Sequence, residues 1–459
     1  MGFVLYTRRW FVVGAFAIVT FSNNVIWITW SPIATLVAPY WNVPVRDVDN
    51  LTSTYMYTYL PGSIFAMYLM VDVLGLSRCL WIGSAMNATG GIMRWLGMSS
   101  YFWVYVGTLF SATSQSFTVS APPLIAAKWF GAHESATATA IGVLANQLGT
   151  AIGLGSTILI NFNNPNNNGS LNVHVLERFL FVQAALSTLG CLSLVVFLRT
   201  DAPPTPPNAG EAARRQELEK TNSDNNNNNN NEETPLLLLL PGDDSEEATT
   251  TKENERVETH NPSFLQSVRL ALKHGFGFAC VYAFTVGTFY SIPPFISQFV
   301  PDWTRQESGW LGFLYQLTGV AGSLVVGRVV DRFQNHSFMS RLLLVMALVL
   351  FGGFWLFHHS SNQHWVVYGT MMGTGFSLAA SSTLGYELGA SISYPANEAT
   401  VGALMQFLTQ IVAFSAVTTG GWINASSNYI GILWGCVAVA LAILLSIPTE
   451  SNRPKEPAS

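Results

Sequence analysis

Apolar residues in this chain gather into long runs, not into strict alternation or a narrow amphipathic stripe. A helix needs about 20 mainly apolar residues to cross the hydrocarbon of a bilayer. Twelve runs meet that need, at roughly 10–38, 55–73, 79–98, 102–125, 136–160, 177–198, 264–299, 308–327, 341–358, 364–386, 398–421 and 429–447. Turn-forming stretches such as NVPVRDVDN, GAHES, NFNNPNNNGS and NASSN separate them. One segment, 200–262, breaks the rhythm and leaves six runs on either side. It holds PPTPPN, an asparagine tract, and fourteen acids against five bases. Such a stretch cannot bury a core, so it reads as a disordered loop. The predicted organisation is a first six-helix half (1–199), the loop (200–262), a second half (263–448) and a tail (449–459).

Composition agrees with the pattern. Charged residues make up 10% of the chain, against about 25% in soluble domains, which predicts an all-α membrane protein embedded in a lipid bilayer. The net charge of -5 is misleading, because the loop carries most of the acid and the remainder is basic. Lys and Arg mark the cytosolic side of membrane proteins. With the N-terminus cytosolic, twelve basic residues fall at cytosolic ends, including Arg8, Arg9, Arg78, Lys128 and Arg332, and four fall outside. Both termini are then cytosolic. Glycosylation sequons at Asn50, Asn168 and Asn424 fall in external loops under this orientation; those at Asn87 and Asn335 do not and read as chance matches. The four cysteines sit in apolar runs without metal spacing. There is no nucleophile–base constellation or phosphate loop, so no enzyme activity, cofactor, metal or nucleic-acid partner is expected. Nothing calls for more than a monomer. In the loop, EETPLL (Glu232, Leu236, Leu237) has acidic-dileucine spacing that a sorting adaptor could read, although a leucine repeat beside an asparagine tract explains it too. The membrane is expected to be plasma or endolysosomal.

Polar residues inside the runs carry the candidate chemistry, since ionisable and amide groups at that depth usually face the bundle interior. In FSNNVIWITW, Asn23, Trp27 and Trp30 share one helix face. The seventh run contains GTFYSIPPFISQF, where Gly287, Tyr290, Pro293 and Pro294 interrupt a helix at depth. Broken helices are tolerated where they face protein or a watery cavity. Asn146 and Gln147 lie mid-run in the fifth span; Gln406, Thr409 and Gln410 do so in the eleventh. Spans one and seven, and five and eleven, are equivalent in a six-plus-six repeat, so aromatics and amides converge on one axis. Few charges accompany them. Glu387 is the clearest membrane-depth carboxylate and the candidate for coupling; Glu398, Arg94 and Lys128 lie near span ends. Aromatic faces attract a quaternary ammonium by roughly 0.5–2 kcal/mol per ring, and a glutamine suits an accompanying hydroxyl.

Two matching loops point to a superfamily. GRVVDR (Gly327, Asp331, Arg332) follows the eighth span, and DVLGLSR (Asp72, Gly75, Arg78) follows the second, with Tyr68 where the motif wants glycine. The layout resembles the major facilitator superfamily, in which these loops act as charge latches; a turn with orienting arginines is the plainer reading. More specifically, YTRRW, SNNVIWITWSPI, GLSRCLWIGSAMNATGGIMRW, AAKWFGAHESATATAIGVLANQLGTAIG, GTFYSIPPFISQ and YELGASISYPANEATVGALMQFLTQI resemble the feline leukaemia virus subgroup C receptor-related transporters, solute carrier family forty-nine. That resemblance implies a twelve-helix fold in two pseudo-symmetric halves and alternating-access transport of choline and ethanolamine, haem or pyridoxine. It places an aromatic pair and two glutamines around the ammonium, at Trp27, Tyr290, Gln147 and Gln410, with Asn23 matching a family asparagine. One departure is Ser391, where the family often has a second glutamate. Haem would want axial ligands such as histidine, and His358, His359 and His364 cluster near an external end. A non-transporting receptor is a further alternative, but it has no need of opposed polar stripes.

Overall fold

All twelve runs become helical passages in the computed structural model, which describes residues 4–131, 134–160, 171–207, 212, 264–333, 335–359, 364–393, 396, 398–423 and 427–447. There is no β-strand among the described residues. The first passage is Arg8–Ile28, a 3-10 turn at Ser31–Ile33, then Ala34–Trp41. The second is Val45–Tyr68, ending in a π turn at Leu69–Val73. The third is Gly75–Leu96, and the fourth pairs Tyr101–Thr118 with Pro122–Trp129. The fifth joins Ser135–Leu154 to Ser156–Leu159, and the sixth is Val173–Phe197. In the second half, Phe264–Ser291 breaks at Pro293–Phe295 and resumes at Ile296–Phe299 as the seventh. Arg305–Phe333, His336–Phe357, His364–Ile392, Glu398–Trp422 and Ser427–Ser446 complete the set.

Packing repeats between the halves. The first passage packs on the fifth and sixth, as the seventh does on the eleventh and twelfth. The third meets the fourth and sixth, as the ninth meets the tenth and twelfth. The halves join where the fifth meets the eighth and the second meets the eleventh, a reciprocal pair. Burial follows the same symmetry: 72% of the apolar window is buried in the first and seventh passages but 33% in the sixth, ninth and twelfth, so the broken helices are central and the last three face lipid.

Eight passages are long and apolar enough to cross a membrane on composition alone. The second, third, fourth and tenth are more polar, and the described part of the bundle explains why. The third, for example, buries Ser84, Asn87 and Arg94 against neighbouring helices. Asn87 therefore cannot be a glycan acceptor; it accepts from Asn23 Nδ2 at 2.9 Å and donates to Ser22 Oγ at 3.0 Å. Asn335 caps the ninth passage by accepting from Phe338 N at 3.2 Å.

Two expectations are corrected. The first span is not continuous. Pro32 lacks an N–H, cannot continue the hydrogen-bond ladder, and opens the 3-10 turn. Arg94 lies in the last turn of the third passage, near the span end as expected, and is 1% exposed. The disordered loop does not begin at 200, because residues through 207 pack, with Pro203 and Pro207 buried. Asp201 accepts from Ser77 N at 2.7 Å and Ser77 Oγ at 2.6 Å, capping the start of the third passage. Burial pushes its carboxyl up, but the Ser77 bonds outweigh that and hold it below the ordinary carboxylate value. Gly75 has φ +82°, and a Cβ there would run into the Asp201 carboxylate. Glycine is thus required at that turn for both reasons.

This basic face is further tied by a forked Arg9–Glu134 pair, with Nε–Oε2 at 2.8 Å and Nη2–Oε1 at 3.1 Å. The expected charge latches are a different matter. Arg78 and Arg332 are exposed and make no ion pair among the described residues. The side chains of Asp72 and Asp331 lie outside the described residues, as does that of Glu387.

Candidate functional site

The two helix breaks face each other. Trp27 sits four residues before Ser31 in the first passage, and Tyr290 three residues before Pro293 in the seventh. Their rings meet edge to face, centroids 6.3 Å apart at 83°. Trp27 Nε1 donates to the Thr52 carbonyl at 3.2 Å, which fixes the indole plane against the second passage. On the face opposite the basic one, Ser31 Oγ donates to the Pro294 carbonyl at 2.8 Å, so break touches break across the two halves. Proline has no N–H and leaves nearby carbonyls free to accept such bonds.

A cavity lies between the halves beside this aromatic pair. The first passage contributes Asn24 and Trp27, and the second Tyr55 and Met56. Gln115 and Val119 come from the fourth, one helical turn apart, and Asn146 from the fifth. The C-terminal half supplies Tyr290, and Gln406 with Gln410, again at i and i+4. Tyr386 Oη donates to Gln406 Oε1 at 3.2 Å, leaving the buried Nε2 without a partner; Gln115 Oε1 is likewise buried and unpartnered. A buried amide group without a partner costs about 1–3 kcal/mol, so both are poised to bond a bound molecule. No described lining residue carries a formal charge.

Trp27, Tyr290 and Gln410 are therefore brought together as the sequence suggests. Asn23 and Gln147 are not on the wall. Asn23 is turned away, its Nδ2 bonded to Asn87 and to the Ser111 carbonyl at 2.8 Å, and its neighbour Asn24 faces the cavity. Gln147 is buried, 3% exposed, while Asn146 takes the wall position. Adjacent helical residues point about 100° apart, so a one-residue choice between paired amides needs the helix rotation, which packing sets. Trp30 also leaves the stripe: it is fully buried, packs edge to face on Trp41 at 5.0 Å and lies under the Arg94 guanidinium. Sequence reading passed over Tyr55, Met56, Gln115 and Val119. Gln115, an amide mid-run, was the signal available.

The histidines lie elsewhere. His358 Nδ1 bonds the Trp355 carbonyl at 2.7 Å, His359 packs beside it at 4.0 Å, and His364 stacks on Trp303 at 4.4 Å. No described histidine lines the cavity. Asn50 is exposed in the overhang of the second passage. Asn168, Asn424, Glu232, Leu236 and Leu237 lie outside the described residues.

Known proteins resemble this chain in sequence and fold. The sequence profile of the Major Facilitator Superfamily matches residues 12–417 and 275–459. An uncharacterised MFS-type transporter of Caenorhabditis elegans is 27% identical over 98% of this chain and 71% of its own length. The zebrafish choline/ethanolamine transporter flvcr2a is 26% identical over 99% of this chain and 89% of its own, and human choline/ethanolamine transporter FLVCR2 is 24% identical over 98% and 78%. The resemblance drawn from the sequence motifs is met by these relatives. Among solved structures, the xylose transporter XylE of Escherichia coli, in a partially occluded inward-open conformation, superposes with a TM-score of 0.66 at 10% identity, covering 98% of this chain and all of its own. The fucose:proton symporter FucP of E. coli does so at 0.58 with 13% identity, over 95% and 98%.

Proposed function

The chain belongs to the major facilitator superfamily, and we propose that its cargo is a small hydroxylated organic cation of the choline and ethanolamine class. It is an integral membrane transporter that moves a small organic solute by alternating access of two six-helix halves. One observation carries the choice of cargo: the Trp27–Tyr290 pair, set on two facing helix breaks, borders a cavity walled by amides without a described charge. A trimethylammonium group cannot donate hydrogen bonds but is held by aromatic faces, about 0.5–2 kcal/mol per ring. The cargo's hydroxyl has a donor in Gln406 Nε2 and acceptors in Gln115 and Gln410. Asn23 acts by fixing the first passage, and Gln147, buried with its Oε1 unpartnered, is a further acceptor for the cargo. No described histidine lines the cavity, which disfavours haem as the cargo. In this reading the protein is a transporter and not an enzyme. It works as a monomer in the plasma or endolysosomal membrane with both termini cytosolic. Uptake of labelled choline by cells expressing the protein is the test. Expression at the membrane with uptake equal to untransfected cells removes choline from the list.

The contacts on the opposite face then close the outer side. There Gln298 Nε2 donates to Asp49 Oδ2 at 3.4 Å across the halves. Asp49 lies in the overhang of the second passage, ahead of its apolar stretch. Burial pushes its carboxyl up to about 7, although the Gln298 bond pulls it the other way. A carboxyl raised in the closed state favours closure when neutral. Closure is therefore strongest at low pH, weakens as pH rises towards 7, and is flat above that. Opening of the outer gate, read as external choline uptake, is expected to fall between external pH 7.5 and 5.5. In Asp49→Asn, which cannot ionise, this dependence disappears; an unchanged pH profile in that variant refutes the gate.

A further inference from the structure

Arg94 is the largest fully buried polar side chain that the cargo site leaves unexplained. It lies in the third passage, 1% exposed, one layer behind the cavity wall. Its Nη1 donates to the Ile26 carbonyl at 2.9 Å, and its guanidinium stands over Trp30 at 4.8 Å from the ring centroid. Nε and Nη2 are buried with no partner. A buried charge normally requires pairing, yet the ion pairs among the described residues are Arg9–Glu134 and His174–Glu177, neither of which includes it. The neighbours are all neutral. Gly107 of the fourth passage packs on the Arg94 stem, and Ser111, one turn along, packs on Gly90, one turn before Arg94. Tyr55 of the second passage lies within electrostatic reach of both Arg94 and Ser111. The Tyr55 and Ser111 hydroxyls are buried against each other, with no partner beyond that pair.

The cluster thus presents a positive charge with two buried guanidinium donors that have no partner. It cannot suit a cation. Water can bond these groups but cannot neutralise them. The cargo cannot reach them directly, because Tyr55 lines the cavity whereas Arg94 and Ser111 do not. We propose that Arg94, Tyr55 and Ser111 hold a small monovalent inorganic anion, chloride in the cell. Its second effect rests on the cargo proposed above. Trp30 is three residues from Trp27, about one helical turn, so an unneutralised Arg94 opposes an organic cation at Trp27. The anion removes that opposition, and Tyr55 is the partition between the two sites.

The test uses purified full-length protein in sodium chloride, sodium bromide or sodium gluconate at constant ionic strength. Without any organic cation, the melting temperature is expected to rise saturably by several degrees in chloride and bromide but not in gluconate. Ser111→Ala shifts the half-saturating concentration upward several-fold, and Arg94→Gln abolishes the difference. Should Arg94→Gln fail to fold, crystals of the wild type soaked in bromide report directly, with an anomalous peak beside Arg94. Choline is expected to bind at least fivefold more tightly in chloride than in gluconate. Identical melting in all three salts with no bromide peak means a hydrated guanidinium only, and overturns the proposal even if choline is carried. Anion-dependent melting without choline binding leaves the anion site standing and removes the cargo reading instead.

Discussion

Trp27→Ala is expected to weaken choline binding about 10- to 30-fold, with the protein still folded and present at the membrane. A desolvated cation–π contact is worth up to about 2 kcal/mol, and each 1.4 kcal/mol is tenfold in affinity. The substitution also removes the donor to the Thr52 carbonyl and the edge-to-face partner of Tyr290. Two further variants separate these effects. Trp27→Phe keeps a π face but loses the N–H, so a few-fold loss is expected. Trp27→Leu keeps apolar bulk without the quadrupole and should resemble alanine. Equilibrium binding of labelled choline to purified protein is the measurement. If Trp27→Leu binds as the wild type does, the indole is packing and not a cation seat.

Gly149→Ala is expected to be the most damaging single methyl near the site. A Cβ at Gly149 would stand 2.4 Å from the Phe21 carbonyl oxygen and 3.0 Å from Asn24 Cβ. The first contact is backbone, so relief requires the first and fifth passages to separate. Overpacking of this kind costs about 1–3 kcal/mol and occasionally more. Because Asn24 and Trp27 ride on the first passage, choline affinity should fall together with the melting temperature. Gly14 on the same passage has nothing within 4 Å of its Cβ position. Gly14→Ala should be neutral or slightly stabilising, since alanine is the better helix former by up to about 1 kcal/mol. Thermal melts of the two variants side by side are decisive: equal melting points would mean that the first and fifth passages can move apart freely.

The comparison of sequence with structure turns on which residues packing had to place. The Pro293–Pro294 break was legible because two prolines cannot sit inside a helix ladder. Its counterpart at Pro32 was hidden, since one proline in an apolar run is compatible with a kink. That hidden break brings Ser31 onto the Pro294 carbonyl beside the Trp27–Tyr290 pair. Asp201 shows the same limit from the other side. Its surroundings are polar and proline-rich, so composition assigns it to the loop, yet Ser77 and the left-handed Gly75 hold it in place.

The sequence by itself determined the membrane environment, the twelve helices, the six-plus-six division and the amide and aromatic types that converge on the axis. These follow from the low solvation of apolar runs and the helical repeat, which are local properties. Only the tertiary structure decided that Asn24 and Asn146 face the cavity while Asn23 and Gln147 do not, and that Arg94 turns inward to Ile26 and Trp30. A helix's rotation about its own axis is fixed by how its ridges, and glycines such as Gly149, seat against neighbours distant in sequence. No local pattern carries that information.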